Sequence, residues 1–264
     1  MNQRVSTDFS RHRSTFQKIW QGGYYGGDPL DPVLAREYGD LSLISVNHAV
    51  YQALVRPNVK SETKVLEIGP GRGAWTKSML NAKEIWCFDA LSAEHNNFWE
   101  YVGPSNKSKI NYFEVSDASL TQAPDDHFDF IFSFGAFCHI PVDIQRAYQE
   151  NLFKKAKSGA KGVIMFADFD KFNHAFSNLS KLRTVPVNTH GLSTTIRFNV
   201  GRMLARIKRQ PFFLEKDDYT EKPGRFYHGD IKQTAAHLEA VGWRVIVDDI
   251  NLNFRDPVVY FEKP

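Results

Sequence analysis

Cysteine is almost missing from this chain: Cys87 and Cys138 are the only two in 264 residues, and both sit inside apolar runs. A disulfide scaffold or a Cys-based metal site therefore has no material to build on, and two buried free thiols are expected. No apolar run approaches the ~18 residues that would read as a membrane span. Met1 to Arg13 is polar and has no apolar h-region, so no secretory signal is read and a cytoplasmic location without a membrane partner is expected. Internal repeats and low-complexity tracts are also missing. The formal charge is only +3, too small by itself to imply a nucleic-acid partner. What is present is ordinary globular material, 42% hydrophobic and 24% charged, long enough for one sizeable domain with an elaboration.

The most telling segment is Val65-Leu66-Glu67-Ile68-Gly69-Pro70-Gly71-Arg72-Gly73-Ala74-Trp75-Thr76. It reads as a short buried strand, a glycine-crowded turn and a helix start. Gly69, Gly71 and Gly73 permit positive φ and close backbone approach to a ligand. Glu67 falls near the carboxyl end of the strand, where open α/β sheets bind ligands. The spacing Gly69-x-Gly71-x-x-Ala74 also fits the loose dinucleotide fingerprint of nicotinamide and flavin enzymes. The acidic residue two places before the first glycine, and some sixty residues before the strand, favour another reading. The segment resembles motif I of the class I S-adenosylmethionine-dependent methyltransferases, whose cofactor has no phosphate and carries a cationic amino-acid end suited to a carboxylate such as Glu67.

Three further matches follow in order. Asp89 closes Ile85-Trp86-Cys87-Phe88 roughly 20 residues beyond the turn and, with Ala90, lies where the resemblance implies the ribose hydroxyls. Ser116-Asp117-Ala118 supplies Asp117 as an acceptor for the adenine amine and the Ala118 N–H near the ring, again as the resemblance implies. Phe128 to Gly135 resembles motif IV, so that Ser133, Phe134 and Gly135 pass beneath the methionine portion. The cofactor implied is S-adenosylmethionine.

The rest of the chain fits the same plan. Alternating strand and helix signals from Lys64 predict an α/β fold: a seven-stranded, mostly parallel sheet flanked by helices. The strands are read at Lys64 to Ile68, Glu84 to Phe88, Lys109 to Glu114, Phe128 to Ser133, Gly162 to Ala167, Trp243 to Asp248 and, antiparallel, Val258 to Glu262. Residues 1–60 read as a helical cap and lid, with helices over Thr7 to Trp20 and Leu41 to Val55 and a Gly/Pro-rich loop between them. Residues 61–264 form the methyltransferase domain. Within it, 169–229 is an insertion after strand five, too long for a ~2–6-residue connection, and Arg197 to Gln210 inside it reads as a basic amphipathic helix. Asp230 and Gly242 are read as caps of the helix that follows.

Methyl transfer from a sulfonium is an in-line displacement, and an alcohol acceptor must also lose a proton. His139 in Phe137-Cys138-His139-Ile140-Pro141 lies at the mouth of strand four as a general base, with a hydrogen-bonded structural role as the competing reading. Tyr24 and Tyr25 of the loop, His174 after strand five, and Tyr227 and Arg255 late in the chain are candidates for acceptor contacts. The Asp168 and Asp170 pair alone does not make a metal constellation, and no metal is expected. The expected activity is O-methylation of a small polar acceptor, anionic or sugar-linked. Trp20 to Tyr25 and Asp28 to Pro32 resemble bacterial methyltransferases associated with surface glycans. A nucleic-acid methyltransferase is the alternative, disfavoured because Ser133-Phe134-Gly135 stands in place of an Asn/Asp-Pro-Pro-aromatic box. A non-catalytic S-adenosylmethionine binder is the other. Oligomeric state is not legible.

Overall fold

Lys64–Ile68 becomes the central strand β1 because four of its five residues are apolar or buried on both faces, as a parallel sheet requires. The computed structural model describes residues 45–179 and 226–264, together with Phe9, 12–14, 16–18, Trp20, 28–32, Val200, Met203, Leu204 and Ile207. The remaining strands are β2 (Glu84–Asp89), β3 (Ile110–Glu114), β4 (Phe128–Ser133), β5 (Ala156–Met165), β6 (Arg244–Val247) and β7 (Val258–Glu262). They form one sheet in the order β3-β2-β1-β4-β5-β7-β6. β7 pairs antiparallel with both β5 and β6, and the other pairings are parallel. Seven mostly parallel strands with a reversed seventh are what the sequence predicts.

Helices cover both faces. α1 starts at Val46–Val50, capped by the Ser45 hydroxyl, passes through a π-helical turn at Tyr51–Val55 and finishes at Arg56–Asn58. α2 (Ala74–Ser78), α3 (Phe98–Val102), α4 (Val142–Lys155), α5 (Phe169–Leu179) and α6 (Ile231–Val241) follow. The pleat assigns the two cores. Val65 faces a cluster containing Val55, Trp75 and Phe98, whereas Leu66 and Ile68 face a second cluster containing Ile144, Tyr148 and Leu238. Asp230 caps α6 by accepting from Gln233 N–H at 2.8 Å, and Gly242 ends it at φ 116°.

Two predicted segments differ in extent by more than two residues at an end. β5 begins at Ala156, six residues before the predicted start, because Ala156 pairs with Phe128 across an irregularity in the β4–β5 register. The helix predicted from Leu41 begins at Val46 among the described residues, and Leu41 to Ile44 lie outside them. Both cysteines are buried and free. No described helix is long and apolar enough to cross a membrane.

Candidate functional site

The strand order reverses between β1 and β4, and the turns that follow these strands come together there. After β1, Gly69 and Gly71 adopt φ of 68° and 53°. After β4, Gly135 adopts φ 87°. A Cβ on Gly69 would stand 2.2 Å from the Ala136 Cβ, so only glycine lets the two turns close on each other. Above them opens a cavity walled on the sheet side by Gly69, Gly71, Asp89, Ala90, Phe134, Gly135 and His139. Ile144 and Tyr148 of α4 complete this side.

The opposite wall comes from the N-terminal segment: Phe9, His12, Arg13, Phe16 and Trp20. Phe9, 12–14 and 16–18 are helical, within the helix predicted over Thr7 to Trp20. Four contacts fasten this wall to the core. Trp20 Nε1–H donates to Asn96 Oδ1 at 3.1 Å, and Asn96 in turn donates to Tyr112 Oη at 2.9 Å. Arg13 pairs with Glu114. His12 Nδ1 and Tyr227 Oη share a hydrogen bond of 2.5 Å. Phe16 packs against the His139 ring with centroids 5.2 Å apart.

Asp89 is buried, and its two oxygens accept from Gly71 N–H at 3.0 Å and Leu91 N–H at 2.9 Å. Burial pushes its carboxyl up to about 6, against the lowering effect of those two donors. Glu67 lies on the other face of β1, the face of Val65, and is not part of the cavity wall. Its Oε2 accepts from Thr76 Oγ1 at 2.6 Å, and Cys87 Sγ lies 3.7 Å away. Burial drives the Glu67 carboxyl up to about 8, so it is held neutral at pH 7. The sequence reading sets Glu67 toward the ligand; in the structure the two-residue period of the strand turns its side chain to the face away from the cavity wall.

Other predicted residues divide in the same way. Gly73 caps α2 and its missing Cβ makes room for Val102 and Phe98, away from the cavity. Ser133 is buried and donates to Ile68 O at 2.9 Å, tying β4 to β1. Asp117 is exposed and folds back onto Ser119 N–H at 2.8 Å, while Ala118 is buried; neither reaches the cavity wall. His139 lies on the wall with its ring 4.6 Å from that of Phe226, which the Arg255 guanidinium covers at 3.8 Å. Arg255 is also held by Asp256 at 2.6 and 2.8 Å, so it supports Phe226 and does not itself line the cavity. Tyr227 reaches the site through His12. His174 is exposed on α5 and is not brought to it. Tyr24 and Tyr25 lie outside the described residues.

A seven-stranded sheet in this order, with a cavity over the β1 and β4 turns, has a counterpart among known proteins: residues 45–207 match a family described as methyltransferase domain. The chain belongs to this family. It is a methyltransferase. Three solved structures share the methyltransferase's fold. The DhpI–SAH complex is 16% identical over 98% of this chain and 97% of that one, with a TM-score of 0.52. A SAM-dependent methyltransferase from Methanosarcina mazei is 14% identical over 80% and 97%, with a TM-score of 0.51. The 1,6-didemethyltoxoflavin-N1-methyltransferase of Burkholderia thailandensis is 11% identical over 83% and 77%, with a TM-score of 0.50. No curated protein matches the chain.

The methyltransferase also holds a group that sequence reasoning passed over. Asp170, His228 and Asp230 bring ligand-type atoms within 4.8 Å of one another. Sequence spacing does not bring them together, because His228 and Asp230 lie far from Asp170 along the chain. The group's chemistry argues against a metal, however. Phe169 N–H donates to His228 Nδ1 at 3.1 Å, which places the ring proton on Nε2, 3.9 Å from Asp170. A protonated nitrogen is not a ligand, so the group reads as a histidine oriented between carboxylates. Cavity residues missed in the sequence include His12, Phe16 and Trp20. Their spacing of four residues along a predicted helix was the available signal.

Proposed function

We propose that the methyltransferase transfers the methyl group of S-adenosylmethionine to an oxygen of a small polar acceptor, a sugar or phosphorylated metabolite, with His139 as general base. The observation that carries this reading is the position of His139 on the cavity wall beside Gly135 and Ala136, its ring set between Phe16 and Phe226. As the acceptor hydroxyl attacks, its proton passes to the imidazole, the oxygen forms the new O–CH₃ bond, and the S–CH₃ bond electrons return to sulfur. Holding oxygen, carbon and sulfur in line supplies the larger part of the acceleration. A positioned base adds roughly 10²–10⁴-fold.

Asp89, at the end of β2, is the group we assign to the ribose hydroxyls, with Ala90 beside it and the Gly69–Gly71 backbone against the amino-acid end. Arg13, on the opposite wall, favours an acceptor carrying negative charge. Arg13 is already paired with Glu114, so its charge is partly offset.

The test is product formation from S-adenosylmethionine with a labelled methyl carbon over a panel of sugars and phosphorylated metabolites. The methyl resonance of the product distinguishes O–CH₃ from N–CH₃. His139→Ala and His139→Gln are expected to lower turnover about 10²-fold or more while S-adenosylhomocysteine still binds by calorimetry. Turnover within a few-fold of the natural protein, with binding unchanged, would remove His139 from the chemistry.

A further inference from the structure

The stretch 171–214, between the start of α5 and the approach to α6, contains eight Lys and Arg residues and not one Asp or Glu. The remainder of the chain holds 25 of the 33 basic residues against all 30 acidic ones. The mild overall charge thus conceals a strongly cationic stretch within the insertion, on a net acidic remainder. Lys171 pairs with Asp249 at 2.5 Å, and the other seven cations fall in 181–209.

Within the same stretch, Val200, Met203, Leu204 and Ile207 are helical and exposed at 48, 58, 46 and 69%. Their spacing of i, i+3, i+4 and i+7 puts them on one helical stripe. These are four of the nine large hydrophobic side chains exposed among the described residues. Arg202, Arg206, Lys208 and Arg209 interleave with them in sequence, and Phe212, Phe213 and Leu214 follow. An aliphatic stripe in water is unfavourable, and cations in this number repel one another; a single surface relieves both. Nucleic acid would meet the cations but leave the aliphatic stripe without a partner, because its binders use aromatic stacking and hydrogen bonds.

We propose that the segment around Val200 to Ile207 docks the methyltransferase on an anionic lipid surface, apolar stripe in the acyl boundary and cations among the headgroups. The sequence-level expectation of no membrane partner rested on the lack of a spanning segment, and peripheral docking does not need one. The proposal is independent of the acceptor and of the role of His139.

The test is flotation of the full chain with vesicles of phosphatidylcholine alone or mixed with phosphatidylglycerol. Binding to the anionic vesicles, little to the neutral ones, and a loss of at least about tenfold in high salt are expected, because the headgroup attraction is screened beyond a Debye length of about 8 Å at physiological ionic strength. Leu204→Gln/Ile207→Gln keeps every charge and is expected to abolish flotation. Arg202→Gln/Arg206→Gln keeps the stripe and is expected to weaken flotation and flatten its salt dependence. S-adenosylhomocysteine binding and circular dichroism of each variant report that the fold is retained. Failure of the natural chain to float with anionic vesicles overturns the proposal. So does equal binding to neutral vesicles, full flotation of Leu204→Gln/Ile207→Gln, or release from the vesicles by single-stranded RNA at equal phosphate.

Discussion

Replacing Glu67 by Gln tests whether the acidic residue of the glycine motif is a buried acid or a ligand-facing carboxylate. In the fold its carboxyl is pushed up to about 8 from an ordinary value of 4.5, chiefly by burial. Below the ordinary value both folded and unfolded chains hold the proton, and Glu67 contributes nothing to pH dependence. As pH rises toward 8 the unfolded chain releases the proton and the folded chain keeps it, so stability falls across that window. Each pH unit is worth about 1.4 kcal/mol, which gives an upper limit on the order of 5 kcal/mol; water penetration and relaxation bring the expected loss to ~2 kcal/mol. Gln preserves the acceptor that Thr76 Oγ1 uses at 2.6 Å and cannot ionise. We expect Glu67→Gln to match the natural protein at pH 5 and to exceed it at pH 8 by ~2 kcal/mol, or roughly 4–8 °C in melting temperature. The assay is thermal or urea unfolding of the cofactor-free protein at both pH values. Equal stability at pH 8, or the same difference at both pH values, would refute the assignment of Glu67 as a buried neutral acid.

Asp89, whose carboxyl is pushed up to about 6, is assigned to accept the ribose hydroxyls and must be ionised to do so. S-adenosylhomocysteine affinity should therefore fall below pH 6, approaching tenfold per pH unit, and Asp89→Asn should weaken binding roughly 10–100-fold and abolish that pH dependence. Calorimetry from pH 5 to 8 decides it. Gly69→Ala places a Cβ 2.2 Å from that of Ala136 at φ 68°, and should cost roughly 2–4 kcal/mol in urea unfolding; a neutral result would show that the turns are free to separate. Trp20→Ala removes the ring that stands against Gly71 and the bond to Asn96, and should weaken cofactor binding about tenfold, or ~1.4 kcal/mol, with little change in melting temperature. Unchanged affinity would remove the N-terminal wall from the cofactor site.

The sheet was legible because its strands are short apolar runs separated by turn chemistry, and a strand buried on both faces leaves no other use for such a run. Lys64–Ile68, Phe128–Ser133 and Val258–Glu262 came out with their bounds intact for that reason. The cavity was legible where the turns after the strands carry it, at Gly69, Gly71, Asp89, Ala90, Phe134, Gly135 and His139. Side-chain direction was not, since a motif gives spacing along the chain but not which face of β1 Glu67 takes. The far wall was hidden because the contact between Trp20 and Gly71 spans fifty residues and depends on a helix docking onto the sheet. The four-residue spacing of Phe16 and Trp20 fits one helical face, but spacing alone does not say what that face covers.

The glycines of the motif consequently do different jobs, although the spacing makes them look equivalent. Gly69 is small because Ala136 is close, and its role is to let the β1 and β4 turns meet where the strand order reverses. Gly73 is small because Val102 and Phe98 fill the space beside it, and its role is to seat α3 against the start of α2. Gly71 alone has its open side toward the cavity, with the Trp20 ring 3.2 Å from where a Cβ would stand and its N–H donated to Asp89. It is also the glycine that links the β1 turn, the carboxylate at the end of β2 and the N-terminal wall. A side chain at position 71 would therefore press on the wall and unsettle Asp89 together, whereas one at 69 or 73 acts on the fold first and on the cofactor only through it.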